Sequence, residues 1–166
     1  VTGGTSYFYK VAPSLSLVST SITGLTAPSG SLTPQEAAAT IRINVKASGA
    51  DVYIPKFSST AASSGLVGST STDMLGSGSL VAESITSNAE NADGDNWVVR
   101  DGDTKYFEYV TNLTNAGMTN TALSSQVILD TFHWDTTDGV AGGPNEWDSN
   151  FLTALKTSAL ALQPPL

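Results

Sequence analysis

The sequence predicts an all-β protein, an immunoglobulin-like antiparallel two-sheet β-sandwich with an extended N-terminal arm. About seven short segments rich in β-branched and aromatic residues are separated by turn residues, which is the pattern of such a sandwich. The best local helix former, residues 35–39, spans only one helical turn. All seven prolines fall in turns or at the edges of these segments, where a missing N–H group is tolerated.

Residues 40–57 carry the strongest strand signal in the chain. Apolar and polar residues alternate from position 41 to position 47, so one face of the strand is apolar and the other is polar. Residues 48–51 predict a turn, because Gly49 can adopt positive φ, and residues 52–55 then complete a predicted β-hairpin. The apolar face of this hairpin needs a second sheet to cover it, which favours a sandwich.

The other strands are predicted in order along the chain. Residues 14–20 alternate around leucines, whereas residues 58–79 are interpreted as a loop with at most a weak edge strand. Later strands are predicted at residues 80–86, 97–100, 105–111 and 125–130, the last continuing with an irregularity into Phe132 and Trp134, and residues 147–156 predict a last strand or a short helix. The predicted inward-facing core residues are Ile41, Ile43, Val45, Val52, Ile54, Phe107, Tyr109, Val127 and Leu129.

Length and composition predict one domain at residues 13–166, preceded by residues 1–12 as an extended arm or a first strand. The formal net charge of −8 and the sparse Lys and Arg argue against nucleic acid or an anionic membrane as partners. The chain has no cysteine and no apolar run of the roughly 18 residues that a membrane span needs. A first residue other than Met fits a secreted chain that has lost its signal peptide, and an arbitrary start point fits equally well.

Residues 5–11 form an extended, β-prone segment with apolar side chains on both faces, which makes the segment hard to solvate when it is free. Pro13 separates it from the rest of the domain. We expect this segment either to be the first strand of its own sandwich or to pair with a sheet edge of a neighbouring copy. The polymerisation contact would then be made by Tyr7, Phe8, Tyr9 and Val11.

A group of carboxylates within fourteen residues is a candidate calcium site, because calcium is held by six to eight oxygen ligands from loops. The spacing does not match a calcium-binding loop, and Asp-Gly is also the usual sequence of a tight turn. Both interpretations stay open for Glu90, Asp93, Asp95, Asp101 and Asp103. No other cofactor is indicated.

The sequence does not indicate an enzyme. His133 is the only histidine, and no Gly-x-Ser-x-Gly segment accompanies it, so we expect a structural role for this side chain. Tryptophans could instead form a platform on which sugar rings stack, or they could fill the core. The tryptophans considered for glycan binding are Trp134 and Trp147.

Several segments together resemble modular immunoglobulin-like surface proteins found in the secretomes of candidate-phylum bacteria. The resemblance covers most of the chain, and it implies secretion and a surface role with no catalytic residues. The segments that carry it are residues 9–13, 41–47, 51–56, 102–107 and 132–135, followed by Trp147.

From these observations we expect an extracellular structural subunit that assembles with copies of itself into a filament or surface array. Strand addition by the N-terminal arm would join neighbouring copies. The alternative is a carbohydrate-binding or adhesin module on the cell surface, with glycans as ligands.

Overall fold

The computed structural model describes residues 11–26, 33–57, 64–70, 78–92, 94–115, 123–138 and 145–163. Within these ranges the protein is all-β with antiparallel strand pairs, and its helical content is limited to one turn. The elements in chain order are β1 (Ser14–Thr26), β2 (Glu36–Lys46), β3 (Val52–Pro55), β4 (Leu66–Thr70), β5 (Gly78–Ser87), β6 (Glu90–Asn91), β7 (Asn96–Val99), β8 (Thr104–Asn115), β9 (Leu123–Ser125), β10 (Val127–Trp134), β11 (Asn145–Trp147), α1 (Ser149–Leu152) and β12 (Leu160–Leu162).

The largest sheet has four strands in the order β1-β2-β8-β5. Its centre is the pair β2 and β8, whose register runs without interruption from Glu36 opposite Thr114 to Lys46 opposite Thr104. Buried and partly exposed residues alternate along β2, which confirms the predicted period of two. One face of this sheet is therefore apolar and buried, and the other faces solvent.

Three smaller sheets contribute to the same core as that apolar face. Their strand orders are β11-β10-β4, β3-β7-β6 and β12-β9. Tyr53 and Asp135 exchange backbone hydrogen bonds of 2.8 and 2.9 Å, which join β3 to the end of β10. The N–H group of Leu129 donates to the carbonyl of Leu155 at 2.8 Å, which holds the C-terminal segment beside β10. The result is a sandwich-like arrangement in which the small sheets lie over the four-stranded one.

The predicted core is confirmed residue by residue, since all nine predicted side chains are fully buried. The bulge predicted before Phe132 is present as a register shift between Leu129 and Thr131. The core also contains large side chains from β4, β10, α1 and β12. These additional residues are Leu66, Phe132, Trp134, Leu152 and Leu162.

The predicted hairpin between β2 and β3 is wrong. β2 pairs with β1 and β8, whereas β3 pairs with β7 in another sheet. Residues 48–51 form a corner whose backbone is fixed to the turn at residues 100–103: Gly49 has φ 91° and its N–H group donates to Asp101 Oδ1 at 2.8 Å. Because this corner carries the chain from one sheet to the next, β3 covers the core instead of extending the first sheet.

The helical preference of residues 35–39 is also overridden. Residues from Glu36 onward belong to β2, and Ala37 and Ala39 are buried against the core. Propensity is a weak factor here, because pairing on both sides with β1 and β8 satisfies the backbone and buries the alanines. The segment therefore follows the sheet and not its intrinsic preference.

Candidate functional site

Strand β1 is an open edge of the four-stranded sheet. It pairs with β2 on one side, and no strand in the described ranges pairs with its other side. Its thirteen residues, SLSLVSTSITGLT, include neither a charged residue nor a proline. Natural sheet edges are normally protected by charges, prolines or short length, so β1 lacks three of the usual protections.

Apolar side chains are exposed along this edge. Val18 and Leu25 have no partner on β2, because register shifts leave one extra residue in β1 at each place, and they are 48% and 52% exposed. Leu17 lies opposite the fully buried Ile43 and so points to the core face of the sheet, yet it is 44% exposed. The smaller sheets therefore do not completely cover the core face of β1.

Half-buried apolar residues flank Leu17 along this uncovered strip. Leu15 and Ile22 lie on the same face of β1 as Leu17, and β12, which carries the half-buried Leu160, contacts β1. One end is closed at Gly24, where an added Cβ would lie 2.5 Å from Cγ of Pro34. Between the two register shifts, Ser19 to Gly24 form a regular run of strand.

The opposite edge, β5, has a different construction. Its pairing with β8 is interrupted between Val81 and Ser84, and Ala82 within this bulge has φ 54°. The Glu83 carboxylate in the same bulge accepts a hydrogen bond from the hydroxyl of Tyr109. Register shifts occur in both edge strands, but β5 also has an inward-pointing charge at Glu83, which protects a sheet edge and which the uncharged β1 lacks.

We expect the contact of Tyr109 with Glu83 to produce an alkaline loss of stability. Burial, and then the hydrogen bond to Glu83, raise the pKa of Tyr109 far above its usual value near 10. The unfolded chain releases this proton near pH 10 while the folded chain retains it, so this contribution is complete below about pH 10 and falls as the pH rises above it. Tyr109→Phe should lower the free energy of unfolding by about 1–2 kcal/mol at about pH 8.

The difference in free energy of unfolding between the wild type and Tyr109→Phe should be smaller at about pH 11 than at about pH 8, since only the wild type has the Tyr109 hydroxyl to titrate. Urea unfolding of both chains at the two pH values measures the difference, because every other side chain is the same in the two chains. A deficit of equal size at both pH values would contradict the assignment.

Of the predicted polymerisation residues, only Val11 is among those that the structure describes. Val11 and Ala12 are half-buried and pack against the core, and Pro13 is buried. The chain is thus anchored directly before β1 begins. Tyr7, Phe8 and Tyr9 lie outside the described residues.

The predicted calcium carboxylates are engaged in separate contacts. Arg100 forms ion pairs with Asp51 at 2.8 Å and Glu90 at 3.1 Å, and Lys105 lies 3.4 Å from Asp103. The hydrogen bond from Arg100, and then that from the backbone N–H of Asp101, hold the pKa of Asp51 below its usual value. These contacts fasten the corner between β2 and β3 to the turn before β8.

Those candidate calcium carboxylates that the structure describes therefore do not come together as one site. Across the described ranges, no three acidic or histidine side chains form a group that could hold a metal ion. The predicted ligands Glu90, Asp95, Asp101 and Asp103 are all within those ranges, whereas Asp93 is outside them.

Of the tryptophans considered for glycan binding, Trp134 is 1% exposed and belongs to the core, which is the other interpretation that the sequence left open. Trp147 is half-buried and meets the ring of Phe151 edge-on, with centroids 4.8 Å apart. His133 is buried, and its Nδ1 donates to the carbonyl of Ser64 at 2.7 Å, since a carbonyl oxygen can only accept. This histidine links β10 to the residue before Gly65 and so has a structural contact.

Comparison with known proteins identifies no relative. No family model, curated protein or solved structure matches the chain. Among the residues that the structure describes, no helix is long and apolar enough to cross a membrane.

Proposed function

We propose that this protein is an extracellular structural subunit with an immunoglobulin-like sandwich, which assembles with copies of itself into a filament or surface array. Neighbouring copies are joined by β-strand addition, with the N-terminal arm of one copy pairing with a sheet edge of the next. The proposal rests on one observation above all: a long, uncharged, open sheet edge, β1, with exposed apolar side chains.

A strand that adds to such an edge gains main-chain hydrogen bonds along its whole length and buries apolar side chains. Residues 5–11 are suited to this, because they are β-prone and have aromatic side chains on both faces. The contact joins two different surfaces of the chain, so it is a head-to-tail contact. Repeated head-to-tail contacts that do not close produce a filament.

Glycan binding is less well supported than self-assembly. The alternative used Trp134 or Trp147, and Trp134 is a core residue. Trp147 is half-buried, and its ring is in an edge-to-face pair with Phe151. Assembly through the β1 edge uses exposed apolar side chains and an outer strand edge, and neither of these is part of the buried core.

Deleting residues 1–12 tests the proposal. We expect the full chain to form polymers and the shortened chain to stay monomeric by light scattering, because the donor strand is gone. Far-ultraviolet circular dichroism should still report β structure in the shortened chain, since all the fully buried core residues that the structure describes lie after residue 12 and only the half-buried Val11 and Ala12 are lost from that core. Filaments formed by the shortened chain, seen by electron microscopy, would refute the role of the arm.

A further inference from the structure

The two long edges of the four-stranded sheet are not equivalent, and this difference identifies the acceptor. We infer that the N-terminal arm of one copy adds to the outer edge of β1 in a second copy, with residues 7–9 lying along Ser19–Gly24. This inference rests on the proposed function and adds the acceptor strand, the register and the polarity of the contact.

The β5 edge is a poor acceptor. Ala82 and Glu83 interrupt its ladder, and Glu83 is held by the hydroxyl of Tyr109. A strand that paired with β5 would have to follow the irregular backbone of the bulge, and it would lie beside the inward-pointing carboxylate of Glu83. The other edge strands of the described sheets, such as β6, β11 and β12, have only two or three residues. β1 alone combines length, neutrality and apolar exposure among the strands that the structure describes.

A tight turn that would fold the arm onto the β1 edge of its own copy is disfavoured by stereochemistry. Only Ala12 and Pro13 separate Val11 from the first residue of β1. Two-residue hairpin turns need positive φ at their first central residue, which alanine before proline disfavours, and proline holds φ near −65°. Val11, Ala12 and Pro13 are instead packed on the body of the domain, which favours a donor from another copy.

The register follows from matching the apolar positions of the two strands. On β1, Thr20, Ile22 and Gly24 lie opposite buried residues of β2 and so lie on the core face of the sheet. In the arm, Tyr7 and Tyr9 have the same spacing of two, whereas Val11 stays packed on its own domain. Tyr7 and Tyr9 therefore match either Thr20 and Ile22 or Ile22 and Gly24, whether the strands run parallel or antiparallel.

An aromatic residue opposite a β-branched one is a favourable cross-strand pair. About seven extended residues reach roughly 23 Å, which is enough to cover the run from Ser19 to Gly24.

The net charge of −8 opposes contact between copies elsewhere, so an uncharged edge is the surface at which two copies approach with the least electrostatic repulsion. Each copy gives its arm to one neighbour and accepts the arm of its other neighbour at β1. All copies therefore point in the same direction, and the filament is polar.

The absence of cysteine from the natural chain makes disulfide trapping a direct test. These two matches place Phe8, on the outer face of the arm, opposite Ser21 when Tyr7 and Tyr9 match Thr20 and Ile22, or opposite Thr23 when they match Ile22 and Gly24. Opposed side chains in a ladder have Cβ atoms about 4.5–5.5 Å apart, close to the range that a disulfide bridges. We expect a chain with F8C and either S21C or T23C to form a ladder of covalent multimers after mild oxidation under assembly conditions.

The matched control combines F8C with T86C, since Thr86 is exposed on the same face of the sheet at the β5 edge. This chain should remain largely monomeric on a non-reducing gel. A ladder from the T86C chain, a disulfide within single copies of the S21C and T23C chains, or filaments with no cross-link at either β1 position would each overturn the β1 assignment. Failure of the unmodified chain to assemble at all refutes the proposed function itself, which separates the two conclusions.

Discussion

Replacing Phe107 with alanine should lower the free energy of unfolding by about 3–5 kcal/mol. Phe107 is fully buried on β8, directly opposite Ile43 at the centre of the four-stranded sheet. Its ring meets Trp97 edge-on, with centroids 5.6 Å apart, so the truncation removes packing between that sheet and β7. A small domain has about 5–15 kcal/mol of stability, and the loss is therefore a large part of the total. Urea unfolding followed by tryptophan fluorescence measures it.

Phe151→Ala is the matched control for this substitution. Phe151 also takes part in one edge-to-face aromatic pair, with Trp147, but it is 68% exposed. Its loss should cost about 1 kcal/mol or less, because little buried volume is removed. Equal losses for the two variants would show that burial on β8 is not what stabilises this sheet.

The core could be predicted from the sequence because its strands have a strict period of two. Ile41, Ile43 and Val45 alternate with polar residues, and burial follows that alternation in the structure. The bulge near Thr131 could be predicted as well, since the apolar positions of β10 change phase there. Local periodicity determines which side of a strand is buried, and that information is complete within each segment.

Strand partners are not determined by local periodicity. β2 and β3 are consecutive and apolar on one side, which is equally consistent with a hairpin and with a corner between two sheets. The corner is selected by contacts with Arg100, Asp101 and the backbone of Asp103, about fifty residues away in sequence. A long-range contact of this kind leaves no pattern in the segment itself.

The candidate site also combines a local pattern that the sequence shows with a strand pairing that the sequence does not show. Residues 5–11 could be proposed as a donor strand from the sequence, because aromatic residues occur on both faces of that segment. The proposed acceptor could not be found in this way, since an edge is defined by the order β1-β2-β8-β5 and by the bulge at Ala82. The burial of Trp134 could not be predicted from the sequence either, because a tryptophan in an alternating strand can face the core or the solvent.

One signal for the acceptor was nevertheless present in the sequence. The thirteen residues of β1 contain no charge, whereas the solvent face of β2 carries Arg42 and Lys46. Arg42 pairs with Glu108 at 2.8 Å across the sheet and lies over the ring of Tyr106, so the centre of this face is charged and well solvated. A neutral strand beside such a face is better suited to association than to solvation.

Gly65→Ala should lower the free energy of unfolding by about 3 kcal/mol, at the upper end of the range for overpacking. An added Cβ would lie 2.4 Å from the carbonyl oxygen of Pro55 and 2.6 Å from Cγ2 of Ile54. The backbone cannot easily yield, because the N–H group of Gly65 donates to Pro55 at 3.0 Å and its carbonyl accepts from His133 at 2.7 Å. The methyl group would therefore separate the end of β3 from β4 and from β10.

Gly94→Ala is the control that isolates this clash from the general effect of replacing glycine. Gly94 has no atom within 4 Å of an added Cβ, so its substitution should change stability by about 0.5 kcal/mol or less. Urea midpoints of the two variants at one pH give the comparison. If Gly65→Ala lowered the free energy of unfolding as little as Gly94→Ala, then the end of β3 and the start of β4 would not be in the close contact that the structure shows.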